Sequence, residues 1–136
     1  MGDDAIGIMV LEELSTKLNK DIEFIFGETD YEFTLSKIED GDLLFILDST
    51  YFELIPGTVT FTSINDLSLR NNLTSQHQTS LIHLLKLYKR NITGFVIGIE
   101  IEKIEFSTEL SKTLKFKLNQ ICDQVYEFIV DTTKFS

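Results

Sequence analysis

The stretch LLFILDSTY, Leu43 to Tyr51, sets five large apolar residues in a row, Leu43 to Leu47, directly before a carboxylate, Asp48. A strand with one wet face alternates apolar and polar residues, whereas a strand covered on both faces reads as a continuous apolar run. Such strands belong to parallel sheets sandwiched by helices, and ligands bind where their carboxyl ends emerge. Asp48 stands at that end, with Ser49 and Thr50 expected to lead the chain out of the sheet. An Asp in this place is either the cap of the next turn or part of a site. Within Gly94 to Ile99, the run FVIGI is a second buried strand, and it too ends in a carboxylate, Glu100. The carboxyl ends of Leu43–Leu47 and Phe95–Ile99 are predicted to share one edge of the sheet.

The remaining elements follow outward from this pair. Pro56-Gly57 is a turn, and GTVTFT then alternates Thr with Val59 and Phe61, which predicts an antiparallel edge strand over Thr58–Thr62. Ser63 to Ser75 is polar and poorly periodic: loop, with room for one helical turn. In SQHQTSLIHLLKLYKR, Leu81, Leu84, Leu85 and Tyr88 form the stripe of a helix, and Lys86, Lys89 and Arg90 suit its negative end. Upstream, Ile22 to Phe26 reads as a strand, Thr29 to Ile38 as a short helix, and Asp40-Gly41-Asp42 as the turn into the central strand. At the start, Ile6, Val10, Leu14 and Leu18 fall at helical spacing beside Met9 and Leu11, with Glu13 and Lys17 an i, i+4 pair. Ser107 or Thr108 is expected to open the last helix, whose stripe is Leu114, Leu118, Ile121, Val125 and Phe128 or Ile129. Helix, strand, helix, strand, edge strand, helix, strand, helix is the order of a three-layer α/β/α sandwich with a mostly parallel sheet. A fold of this type begins with a strand, and none feeds the first helix here.

Composition bounds the function. The chain's 136 residues make one domain, 1–136, of ordinary globular composition: 43 % hydrophobic and 25 % charged. Its 22 acidic and 12 basic residues give a net charge of -10, which repels phosphate backbones and excludes nucleic acid as an expected partner. No apolar run reaches the ~18 residues of a membrane span, and no export leader is visible. The one cysteine, Cys122, fits a reducing cytoplasm and reads as a core residue beside the last helical stripe.

Four further polar residues stand out. Asp3 and Asp4 precede the first helix between Gly2 and Gly7, where one carboxylate is enough for a cap. His77 lies at a loop-to-helix junction between Gln76 and Gln78. His83 lies inside the same helix, six residues on, about 600° around, so the two do not share a face.

Taken together, MGDDAIG, LDST at a strand end, PGTV, SQHQ at a helix start and GIEIE resemble the hydrogenase maturation protease family, in order and over essentially the whole chain. Members of that family trim the C-terminal tail of the large subunit of nickel-iron hydrogenase once nickel is in place. The resemblance implies that Asp4, Asp48 and His77 bind the metal and are the catalytic residues, with Asp3 and His83 the rival assignments. It implies nickel supplied by the substrate, with another divalent metal as the alternative, and the hydrogenase large-subunit precursor as partner of a monomeric, cytoplasmic enzyme.

The chemistry of the trio stands independently. Two carboxylates and one imidazole form a mixed oxygen and nitrogen site for a borderline divalent ion, with open positions to polarise a carbonyl or activate water. No Ser–His–Asp or Cys–His nucleophile set is evident, so hydrolysis would be metal- or carboxylate-assisted. A receiver domain also closes a middle strand with Asp, but its acidic pair follows a first strand. Two departures from the family pattern bear on function. The first strand and its G-x-G-N loop, on the order of a dozen residues, are missing before the GDD motif, through either a late start or a loss. In place of D-G-G-T-x-G stands Phe26-Gly27-Glu28-Thr29-Asp30-Tyr31, a stretch associated with substrate recognition. The alternative function is thus a catalytically idle, truncated relative that binds metal or the precursor without cleaving it.

Overall fold

The computed structural model describes residues 5–18, 22, 36–66, 92–102 and 109–134. Helix α1 spans Ile6–Ser15, strand β1 Leu43–Thr50, strand β2 Val59–Ser63, strand β3 Thr93–Glu100 and helix α2 Lys112–Thr133. One 3-10 turn, Ile64–Asp66, follows β2 where a single helical turn was expected. Strand β3 lies between the other two. It pairs in parallel with β1, from Leu43 opposite Thr93 to Thr50 opposite Glu100. It pairs antiparallel with β2, from Val59 opposite Ile99 to Ser63 opposite Phe95. The two apolar runs therefore end on the same edge, and β2 is the antiparallel edge strand among the described strands, as its alternation predicts.

The unbroken apolar run of β1 has its cause in two cores, one on each face. Phe45, Leu47, Ile97 and Ile99 meet Ile6, Val10 and Leu14 of α1 and Leu114, Ile121, Val125 and Ile129 of α2. On the opposite face Leu44, Ile46 and Val96 gather with Ile38, Ile64 and Ile92. Successive strand residues point to opposite faces, so a strand with a core on either side needs apolar residues throughout. The result is an α/β fold on a mixed sheet, with α1 and α2 layered on one face.

Each helix buries the stripe its spacing dictates. Ile6, Val10 and Leu14 are fully buried in α1, whereas Met9 lies outward. The Glu13–Lys17 pair is formed at 3.6 Å but is half-exposed on both sides, so it contributes only a few tenths of a kcal/mol. In α2, Ser111 is the N-cap, its Oγ accepting from the Leu114 amide at 3.3 Å. The helix thus opens later than the expected Ser107 or Thr108, which lie outside the described residues. Leu110, eligible for the stripe by spacing, is buried ahead of the helix instead. Toward the other end Phe128 stacks on Phe61 at 4.1 Å and meets Phe95 edge-on at 5.0 Å. These ring contacts seat α2 across β2 and β3 and cover much of the outward Phe61.

The expected strand beyond Ile22, most of the helix expected over Thr29–Ile38 and the helix carrying Leu81 to Tyr88 lie outside the described residues.

Candidate active site at the carboxyl edge of the sheet

Strand β1 does not end at Asp48. The ladder continues through Asp48 opposite Gly98, Ser49 opposite Ile99 and Thr50 opposite Glu100, and the Ile101 amide donates to the Thr50 carbonyl at 3.0 Å. The chain leaves the sheet after Thr50, a correction to the expectation that Ser49 and Thr50 form the exit. The cause is the parallel partner, which supplies backbone bonds to the strand for as far as it runs itself. Asp48, Ser49 and Thr50 are accordingly buried, at 6 %, 2 % and 1 % exposure.

A buried carboxyl group needs hydrogen-bond donors. The Ser49 amide donates to Asp48 Oδ1 at 2.8 Å. By the pleat, Asp48 shares a face with Ile46 and Thr50. The start of α1 lies against the backbone at this point. A Cβ on Gly7 would sit 3.1 Å from the Leu47 carbonyl oxygen and 3.5 Å from the Asp48 amide nitrogen. Glycine lets the helix approach this closely, so the first turn of α1 and the Asp48 end of β1 are one packed unit.

Glu100, at 1 % exposure, is the second carboxylate of the edge, and its partners are all donors. Thr50 Oγ1 donates to Oε1 at 2.9 Å, the Phe52 amide lies 3.1 and 3.0 Å from the two oxygens, and the Leu54 amide donates to Oε2 at 3.1 Å. Between those two amides Glu53 has φ 63°, a left-handed conformation that a non-glycine residue adopts only at some cost. Backbone amides flanking a left-handed residue form a concavity that favours an anion, and here Glu100 fills it. Its main chain closes the loop from the other side. The Gly57 amide donates to the Glu100 carbonyl at 2.8 Å, and the Glu100 amide to the Thr58 carbonyl at 2.9 Å. The turn within the loop is Pro56-Gly57, with Gly57 at φ 91° and the Thr58 amide donating to the Ile55 carbonyl at 3.0 Å. From α2, Lys117 Nζ donates to the Pro56 carbonyl at 2.7 Å. Sequence reasoning marked Glu100 only as a strand-end carboxylate. Its signal was an acidic residue inside an otherwise apolar strand end with no basic neighbour, which demands donors from elsewhere.

Of the trio expected to bind metal, the structure places Asp48. Asp4 and His77, with the rivals Asp3 and His83, lie outside the described residues. Among the described residues no three His, Cys, Asp or Glu side chains group as a metal site. Cys122 is buried in the core on α2, and burial, followed by the negative charge of Glu13, pushes its thiol pKa up against the opposing pull of Lys17. A thiol kept protonated is a poor nucleophile, which fits a core residue. No helix among the described residues is long and apolar enough to cross a membrane.

A mixed sheet with α1 and α2 on one face and a buried carboxylate at its carboxyl edge defines an α/β protein, a class whose open sheets bind ligands at the strand ends. Within that class the chain belongs to the hydrogenase maturation protease family, whose sequence model, HycI, matches residues 8–128. Solved structures agree with it in fold. The hydrogenase maturating endopeptidase HybD from E. coli superposes with a TM-score of 0.78 at 22 % identity, over 97 % of this chain and 86 % of that one. The [NiFe] hydrogenase maturation protease HybD from Thermococcus kodakarensis gives 0.73 at 23 % identity, over 94 % and 90 %. The hydrogenase 2 maturation peptidase from a Thaumarchaeota archaeon gives 0.61 at 21 % identity, over 100 % and 92 %. No curated protein sequence matches this chain significantly.

Proposed function

We propose that this chain is a single-domain, monomeric, cytoplasmic endopeptidase that removes the C-terminal extension of the nickel-loaded large subunit of a nickel-iron hydrogenase. In this reading Asp4, Asp48 and His77 bind the metal and carry the catalysis, and the nickel arrives as part of the substrate. The observation that carries the reading is the seat of Asp48, buried at the carboxyl edge with the first turn of α1 packed against its backbone. In this reading the second carboxylate, Asp4, stands three residues before Gly7 in the sequence.

Two carboxylates and one imidazole, Asp4, Asp48 and His77, would suit a borderline divalent ion. Such an ion would supply a Lewis acid for a scissile carbonyl or a water molecule. The protein's own part is to hold Asp48 in place through the Ser49 amide and the ladder to β3, and to keep it out of bulk water, where charge interactions are weakest.

The test is incubation of the protein with nickel-loaded and nickel-free precursor, followed by mass analysis of the precursor's C-terminus. Loss of the extension from the nickel-loaded form alone is the expected result. An intact C-terminus in both refutes the protease reading and leaves a relative that binds metal or precursor without cutting.

A further inference from the structure

On the face of the sheet that carries Asp48, β1 and β3 oppose each other in successive rows: Ile46 with Val96, Asp48 with Gly98, Thr50 with Glu100. Side-chain pairs across a ladder hold it together beyond its backbone bonds. The Ile46–Val96 row is an apolar pair, buried with Ile38, Ile64 and Ile92. In the next row glycine offers Asp48 no such pair. The row after that supplies one in which Thr50 Oγ1 donates to Glu100 Oε1 at 2.9 Å. The Thr50 side chain also leans back over the glycine row. A Cβ on Gly98 would lie 2.5 Å from Thr50 Cγ2 and 2.7 Å from Thr60 Oγ1, so glycine leaves Thr50 the room for this placement. Glu100 is itself anchored from the far side by the Phe52 and Leu54 amides. Thr50 is thus held by a group that is already fixed.

We propose that Glu100 is a positioning residue for the cleavage: by holding the Thr50 hydroxyl it braces the polar end of β1 on β3 and so fixes where the Asp48 carboxylate stands. This rests on the maturation-protease reading above. Asp48, Ser49 and Thr50 are buried, yet they bring little apolar surface to keep the strand end down. Asp48 stands two residues before Thr50 on the same strand and face, so movement of Thr50 is passed directly to it. A shift of about 1 Å in a reacting group can cost on the order of a hundredfold in rate.

Three variants separate the brace from the loop it adjoins. Thr50 Oγ1 is a hydroxyl and can accept as well as donate. In Glu100→Gln the amide oxygen takes the place of Oε2 and serves Phe52 and Leu54, while the amide nitrogen donates to Thr50. Glu100→Leu has similar bulk and no acceptor, so it releases Thr50 and both amides. Thr50→Val keeps the shape of the side chain and removes only the hydroxyl, which leaves Glu100 to the loop.

The experiment measures kcat and KM for cleavage of the nickel-loaded precursor, with hydrogen exchange at four amides, in wild type and these variants. The Ser49 amide donates to Asp48 Oδ1 and the Ile101 amide to the Thr50 carbonyl, so both report the end of β1. The Phe52 and Leu54 amides report the loop. Thr50→Val is expected to lower kcat about tenfold with KM within about twofold, the pattern of an interaction lost only in the transition state. It should lose protection at Ser49 and Ile101 and keep it at Phe52 and Leu54. Glu100→Leu is expected to show the same fall in kcat and to lose protection at all four amides. Glu100→Gln is expected to match wild type in every readout. An unchanged kcat in Thr50→Val overturns the proposal, as does a Glu100→Gln protein as impaired as Glu100→Leu. Thr50→Val carries the test if Glu100→Leu fails to fold. If wild type leaves the precursor intact, the protease reading fails and the brace is judged by the Ser49 and Ile101 amides alone. Protection lost there in Thr50→Val and kept in Glu100→Gln upholds the brace; unchanged protection in Thr50→Val overturns it.

Discussion

Replacing Gly7 by Ala sets two effects of opposite sign against each other at the seat of Asp48. In an unobstructed helix, Ala in place of Gly gains up to about 1 kcal/mol. Here the added methyl would lie 3.1 Å from the Leu47 carbonyl oxygen and 3.3 Å from its carbon, against roughly 3.5–4.0 Å for a comfortable carbon contact. The Leu47–Asp48 backbone cannot yield, because it is bonded into the parallel ladder with Ile97 and Gly98. Helix α1 must retreat by a few tenths of an ångström, and with it Ile6, Val10 and Leu14, which are fully buried. Overpacking of this kind costs about 1–3 kcal/mol. The net expectation is a loss of about 1 kcal/mol, or a fall in Tm of roughly 3–6 °C for a domain of this size. Gly7→Val, with two more methyl groups, should lose roughly 3 kcal/mol. Urea unfolding followed by circular dichroism measures both. A Gly7→Ala protein that is more stable than wild type by the full helix-propensity gain would refute the close packing of α1 on the Asp48 end of β1.

Other measurements probe the site and its supports. In calorimetry with a zinc salt as probe, Asp48→Ala and His77→Ala should each abolish binding; retained binding in either removes that residue from the metal set. Cys122 should resist iodoacetamide in the native protein and react on unfolding, because its thiol is buried and its pKa raised. A raised folded pKa means the unfolded chain releases the proton first, so this contribution to stability is present below the ordinary thiol value of about 8.5 and is lost as pH rises above it. Melting temperatures that hold steady from neutral pH through pH ~10 would contradict that sign. Phe128→Ala removes the ring that stacks on Phe61 and meets Phe95, and should cost about 3 kcal/mol in urea unfolding; a cost below about 1 kcal/mol would show that those ring contacts do not hold α2 on the sheet.

What could be read from the sequence was what periodicity encodes. The run Leu43–Leu47 implied a core on both faces, and Ile46 and Leu47 do face different clusters. The Thr alternation around Val59 and Phe61 implied an edge strand, and β2 is one among the described strands. The α2 stripe of Leu114, Ile121, Val125 and Ile129 is buried as its spacing required. Termini were less legible. Nothing local distinguishes Ser107, Thr108 and Ser111 as caps, since each is a hydroxyl residue ahead of the stripe, and the choice depends on where Leu110 finds a place. The end of β1 was misjudged because the length of a parallel strand is set by its partner's, which lies on the order of fifty residues away in this chain. Of the three residues expected to bind metal, Asp48 alone lies among the described residues, and there the strand runs two residues beyond it. Glu100 was visible as a residue but not as a hub, because its partners are backbone amides, which carry no sequence signature.

Those partners also have an order in time. Thr50, Phe52 and Leu54 precede Glu100 by 50, 48 and 46 positions. During synthesis, which proceeds from the N-terminus at ~5–20 residues per second, the loop is made seconds before the side chain that fixes it. Until β3 emerges from the ribosome, Asp48 lacks its parallel neighbour and Glu53 has no reason to hold its left-handed turn. A chain arrested short of residue 100 would therefore carry every atom of the loop and of β1 yet have neither in its final shape. The carboxyl edge thus depends on the closing of the β1–β3 ladder, so nascent or fragmentary chains that lack β3 would lack that edge.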